Sequence, residues 1–253
     1  MSEAPETLEG WWIWHDFRRV DFDAWKRRPA RERETALDQL HREMEAFQAA
    51  DERRESSFGL YQVAGHKADL LFMHLRPSLA HLIELKAALW KSPFFTAHPA
   101  VYSYISAVEL SRYVAHGNPD PETNPDLKSR LYPSLPKTAY VCFYPMSKRR
   151  SGADNWYMMD RGERAQMMRG HGAIGHKYHD RVTQIISGSQ GLDDWEWGVT
   201  LYADDALDFK KLVYEMRFDE ASARFAEFGP FYVGRRIGYE ELREWLDVSA
   251  DVE

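Results

Sequence analysis

The stretch FGLYQVAGHKADLLFMHLRPSLAHLIELKAAL, Phe58 to Leu89, sets the reading of the fold. Phe58 to Val63 and Ala68 to Leu75 are rich in aromatic and aliphatic residues and read as two strands. Ala64-Gly65-His66 joins them and holds the glycine that a hairpin connection favours. Pro77 then interrupts the strand pattern, Ser78 stands where a helix cap belongs, and Leu79, Leu82, Leu85 and Leu89 recur at helical spacing. The local order is therefore strand, strand, helix.

Working outward, Gly10 to Phe17 reads as an aromatic strand, and Leu37, Leu40, Met44 and Phe47 mark one amphipathic helix within a long charged segment. Val101 to Leu110 supplies a further strand, so the first half runs strand, helix, strand, strand, helix, strand. Pro119, Pro121, Pro125, Pro133 and Pro136 then fall in a polar stretch, which predicts a linker over 117–136 between units at 1–116 and 137–253. The second half repeats the order. Thr138 to Pro145 is a strand, and Asp160 and Glu163 have the spacing of a capping box. The helix they open carries Met167, Met168, His171, Ile174 and Tyr178 as its expected buried stripe. Gly170, Gly172 and Gly175 weaken it. Strands at Val182 to Ser187 and Trp195 to Ala203, a helix at Asp205 to Met216, a strand at Phe231 to Ile237 and a short helix at Tyr239 to Leu246 complete it. Two successive βαββαβ halves match the ferredoxin-like unit of the α+β class. Fold analogy extends this to an internal dimeric α+β barrel.

Composition narrows the function. A hydrophobic share of 44% and a charged share of 29% predict a folded globular chain. Cys142 is the single cysteine, which excludes an internal disulfide or a multi-cysteine metal site and favours a reducing compartment. The net charge of −7 argues against a general nucleic-acid binder, because phosphate backbones demand an excess of Lys and Arg. The acidic opening MSEAPETLEG is unlike a signal peptide, and no apolar run has the length of a membrane span, so a cytoplasmic protein without a membrane span is expected.

Four blocks remain: CFYPMSKRR at Cys142 to Arg150, NWYMMDRGERAQMMRGHGAIG at Asn155 to Gly175, QIISGSQGLDDWEWGVTL at Gln184 to Leu201, and YEMRFDEASARFAEFGPFYVG at Tyr214 to Gly234. In order and spacing they resemble the coproheme decarboxylases of the chlorite-dismutase-like superfamily, closely over the second half and more loosely over the first. The resemblance implies a peroxide-dependent enzyme that converts two propionates of iron-coproporphyrin III, coproheme, to vinyl groups and yields haem b. The porphyrin is then both substrate and cofactor.

It also implies roles. His171 becomes the axial ligand of the iron, since a neutral imidazole is a normal haem ligand and Gly170 and Gly172 let a flat macrocycle approach the helix. Without the resemblance the commoner reading of His171 is a core histidine bonded to a carbonyl, and the resemblance reverses that preference. Tyr144 becomes the redox relay, its phenol taking hydrogen from a propionate β-carbon; a tyrosine alternating out of a strand is the structural alternative. Lys148 and Arg130 become carboxylate anchors, as a net-acidic protein needs a local cationic pocket for four propionates. Met146 packs near the reacting propionate by analogy, and Ser222 bonds a propionate oxygen or, in the alternative, caps a helix. Gln184 takes the distal position. True chlorite dismutases carry arginine there, and an uncharged amide neither retains an oxychlorine leaving group nor serves as a general base. His176 and His179 share a helix face but lack a zinc-type motif, and surface exposure is expected. A chlorite dismutase or haem peroxidase and a non-catalytic haem carrier are the competing readings. The resemblance further implies a homopentamer and transient contact with the ferrochelatase that makes coproheme.

Overall fold

A computed structural model describes residues 4–111, 120 and 123–246. Contacts divide the chain into two compact units, one made of the chain through Trp11 with Ile105–Val233 and the other of Trp12–Tyr104 with the chain from Gly234 onward.

The elements of the first half are β1 (Thr7–Arg18), α1 (Phe22–Arg27), α2 (Ala30–Glu52), β2 (Ser57–Val63), β3 (Leu70–Arg76), α3 (Leu79–Leu89), α4 (Pro93–Ala97) and β4 (Ala100–Ser111). The expected strand, strand, helix core is present as β2, β3 and α3. Gly65 adopts φ +83° in the β2–β3 connection, a left-handed conformation that glycine takes without a Cβ clash. β3 pairs antiparallel with both neighbours, which sets His74 opposite Trp14 on β1 and Phe58 on β2. Ser78 caps α3 by accepting the His81 N–H at 3.3 Å. On α2, Leu37, Leu40 and Met44 are buried, and the Phe47 ring lies against Phe58 and His74. α1 and α4 are too short to write a periodic stripe into the sequence, and neither was expected.

The second half holds α5 (Pro125–Leu131), β5 (Tyr140–Lys148), the small hairpin β6 (Arg150–Ser151) and β7 (Asp154–Asn155), α6 (Arg161–His176), β8 (Thr183–Gly188), β9 (Trp197–Ala203), α7 (Ala206–Met216), α8 (Glu220–Phe225), β10 (Ala226–Phe228), β11 (Tyr232–Arg236) and α9 (Tyr239–Leu246). In the unit that contains β5, antiparallel pairings run β10 to β5, β5 to β9, β9 to β8 and β8 to β4. Residues Tyr239–Leu246 belong instead with the unit built on Trp12–Tyr104, where the Trp25 indole donates to the Leu246 carbonyl at 3.1 Å.

Within the proline-rich stretch, Pro125 sits at the first turn of α5, where its missing N–H costs nothing, and Asn124 caps the helix. Leu127 and Leu131 are buried, so this part of 117–136 packs like an element. Gly117, Pro119 and Pro121 lie outside the described residues. No helix among the described residues is long and apolar enough to cross a membrane.

The expected stripe of α6 needs correction. The helix starts at Asp160 as read, with the carboxylate accepting the Gly162 N–H at 2.7 Å, but the stripe is not buried. Met167, Met168, His171 and Ile174 are only partly covered, and Arg164 is the one buried residue of the helix. Tyr178, just past the end, is buried as expected. A helix that leaves its apolar face half-covered has room in front of that face.

Candidate functional site

Strand alternation places Cys142, Tyr144, Met146 and Lys148 on one face of β5. Pairing with β9 and β8 extends that face: Tyr144 aligns with Val199 and Ile186, Cys142 with Leu201 and Gln184, and Met146 with Trp197 and Gly188. Cys142, Tyr144, Val199 and Leu201 pack with Phe209 and Leu212 of α7, so this is the helix-covered face of the sheet.

Tyr144 is 8% exposed, and its ring stacks on Phe231 with centroids 4.4 Å apart. Burial and the neighbouring Cys142 push its phenol well above the usual range, against the opposing pull of the Arg217 guanidinium. The phenol therefore keeps its proton at neutral pH. Arg217 lies over Phe228 with its central carbon 3.7 Å from the ring centroid, and Phe228 also touches Tyr144. A cavity of about 390 Å³ lined by Cys142, Phe209, Val213, Arg217 and Phe231 reaches the ring that supports Tyr144.

Four residues after Tyr144 on the same face, Lys148 is buried, with its Nζ 4.6 Å above the Trp156 ring. Burial pulls its ammonium down to about 8, while the Asp219 and Glu196 carboxylates hold it up. Trp156 reaches this place because β6 and β7 form a tight hairpin through Gly152, which takes φ +63°.

Across from the sheet, His171 on α6 holds the Asp219 carboxylate at 2.8 Å through Nδ1, with the Ser222 hydroxyl 3.4 Å from the same nitrogen. A carboxylate accepts, so Nδ1 carries the hydrogen and the Nε2 lone pair is left for another partner. Asp219 is fixed in turn, because it caps α8 by accepting the Ser222 N–H at 3.1 Å. One helical turn beyond His171, a Cβ on Gly175 would lie 3.6 Å from the Gln184 amide nitrogen, so the Gln184 side chain extends from the sheet to the His171 helix. Gly172 has open space where its Cβ would stand.

The structure thus gathers His171, Tyr144, Met146, Lys148, Gln184 and Ser222 into one unit, on α6, β5, β8 and α8. Ser222 is not the cap of its helix; Asp219 is, and Ser222 faces His171 instead. Arg130 is exposed on α5, and the ion pair it makes is local, with Asp126 at 4.0 Å. His176 and His179 are exposed and stack on each other at 4.6 Å, as surface residues. Asp219, Trp156, Arg217 and Glu196 were missed. Asp219 alone left a mark in the sequence, its spacing to Ser222 being that of a cap to its third helical residue.

An imidazole with one nitrogen held by a carboxylate, a half-covered helix face in front of a sheet, and a buried ammonium at the margin together suit a flat iron macrocycle with acidic substituents. The comparisons agree. The family model described as "Chlorite dismutase" matches residues 33–237. The chain is 51% identical over 247 residues to a protein of Thermus thermophilus named coproheme decarboxylase, covering 97% of this chain and 98% of that one. Among solved structures, one titled as a novel heme-binding protein from Thermus thermophilus superposes with a TM-score of 0.92 at 50% identity, covering 97% and 98%. A mutant chlorite dismutase from Candidatus Nitrospira defluvii shares the fold alone, with a TM-score of 0.75 at 18% identity over 94% and 95%. The chain belongs to the chlorite dismutase family.

Proposed function

We propose that this protein is a coproheme decarboxylase, which uses hydrogen peroxide to convert two propionates of iron-coproporphyrin III to vinyl groups and releases haem b. The relatives' name and the site chemistry support the same reading. The observation that carries it is the convergence of a carboxylate-held imidazole, a buried phenol and a buried ammonium in one unit, with Asp219 facing both His171 and Lys148.

When bound, the iron porphyrin supplies the one-electron oxidising capacity that peroxide delivers. His171 would hold the iron through Nε2, the nitrogen left open, while Asp219 orients the ring and enriches that nitrogen by accepting from Nδ1. Lys148, dry against Trp156, pairs with a propionate carboxylate more strongly than a solvated lysine does. Arg217 offers a second cation beside Tyr144, and Arg130 a more peripheral one. Tyr144 would give up its phenolic proton and an electron to the peroxide-oxidised porphyrin and recover a hydrogen atom from the propionate β-carbon; a second electron passing from that carbon to the same oxidant, as the bond to the carboxylate breaks, would release carbon dioxide and leave the vinyl group. Each conversion removes two electrons from the substrate and reduces one peroxide to two waters. Met146 packs against the reacting arm, and Gln184 faces the distal side without acting as a base. The glutamine at 184 favours this over chlorite chemistry, which relies on a cation at that position.

The same reading places the protein in the cytoplasm as a homopentamer, fed by transient contact with the ferrochelatase that makes coproheme. It keeps 1–116 and 137–253 as duplicated halves joined through 117–136. Its test is Tyr144→Phe: the variant binds coproheme, and mass spectrometry after peroxide titration shows no loss of carboxyl groups, whereas the unaltered protein loses two. Normal turnover by Tyr144→Phe sinks the relay.

A further inference from the structure

The WEWG motif at Trp195 to Gly198 contains a carboxylate that the mechanism above does not use. The β5–β9 ladder ends at Met146 paired with Trp197, so Lys148 has no β9 residue opposite it. In place of a strand carbonyl, Oε2 of Glu196 accepts the Lys148 backbone N–H at 2.8 Å. Glu196 itself is tied down: its N–H donates to the Ser147 hydroxyl at 3.3 Å and its carbonyl accepts the Ser189 N–H at 2.7 Å. Its side chain is 13% exposed, and the cation facing it, Arg150, stands 3.8 Å away and is mostly in water. A carboxylate withdrawn this far from solvent with so loose an ion pair must be stabilised by other donors. The Lys148 N–H is one, and an ionised acceptor makes that bond stronger than a carbonyl would.

We propose that Glu196 is a positioning residue for Lys148: it continues the β5 ladder past the end of β9 and so holds the Lys148 ammonium over Trp156, facing the porphyrin carboxylate. The inference rests on the proposed role of Lys148. Glu196 does not touch the substrate in this scheme and acts through Lys148. Its charge also helps keep that ammonium protonated, together with Asp219.

The test is a double-mutant cycle read by coproheme affinity, from the Soret absorbance on titrating iron-coproporphyrin III into the full chain, with thermal midpoints measured for every variant. Glu196→Ala weakens binding ~10-fold. Glu196→Gln, which keeps an acceptor oxygen, recovers most of that loss, and it remains readable if the alanine variant folds poorly. In a Lys148→Met background, Glu196→Ala and Glu196→Gln have no further effect. Equal losses with and without Lys148, or full affinity in Glu196→Ala, overturn the proposal. Unaltered protein that binds coproheme but never decarboxylates it overturns the proposed function while the cycle still decides whether residues 196 and 148 act together.

Discussion

Lys148 shows how a single side chain carries two opposed effects. Burial beside Trp156 costs its charged form stability, and the Asp219 and Glu196 carboxylates return part of it, leaving the ammonium at about 8 rather than the 10.5 of a free lysine. The folded protein therefore holds this proton more weakly than the unfolded chain. Between about 8 and 10.5 the unfolded state binds more protons, so this residue's contribution to stability rises with pH across that window and is lost again as pH falls through 8. Ligand binding has the opposite trend, since a carboxylate needs the cation. Coproheme affinity is expected to fall as pH rises above about 8, by up to roughly tenfold per unit, and the limb flattens in Lys148→Met. A Soret titration across pH 7 to 10 reads this, and an identical slope in both proteins removes Lys148 from the binding step.

At the scale of elements, β3 carries a polar group in an apolar place. His74 is fully buried among Trp14, Phe47 and Phe58, and neither ring nitrogen has a hydrogen-bond partner. Burial, with Arg76 and Arg18 adding to it, drives its pKa far down, so the ring stays neutral. An unpaired buried imidazole costs about 1–3 kcal/mol. His74→Phe is therefore expected to raise stability by that order in urea unfolding, and a loss instead means that the ring has a partner the structure does not show. His98 on the same unit is lowered to about 4 from 6.5, again chiefly by burial. Its unfolded form binds more protons between those values, so stability falls as pH drops from 6.5 toward 4. α6 makes the contrary compromise. It forgoes a buried stripe and is anchored by Arg164, by the His171–Asp219 bond and by Tyr178, whose hydroxyl donates to Glu215 on α7 at 2.9 Å.

For the whole molecule, chain order and compactness disagree. The unit built on Trp12–Tyr104 is completed by the far end of the chain: α9 buries Tyr239, Leu242 and Leu246, and Arg243 reaches Glu34 at 3.2 Å. A contact between residues so distant in sequence stabilises both segments at once. Leu242→Ala is thus expected to cost about 2–5 kcal/mol. Hydrogen exchange should rise in β2 and β3 as well as in α9. Faster exchange confined to α9 would show that the closing helix is an appendage.

Most strands and the long helices were readable from residue periodicity, because a strand or helix with one buried face writes that face into the sequence every two or about three and a half residues. Leu40 and Met44 on α2, the Ser78 and Asp160 caps, and the glycine turn at Gly65 all rest on such local rules. The candidate site residues His171, Tyr144 and Lys148 were recognisable only through resemblance, since each alone has a commoner structural role. What required folded contacts was the support around them. Asp219 comes to His171 across 48 residues, Glu196 to Lys148 across another 48, and Trp156 to Lys148 through a hairpin too short for any periodic pattern. The half-covered face of α6 belongs here too: its methionines look like core in the sequence, and whether a helix face meets a neighbour or a gap depends on where other elements stop.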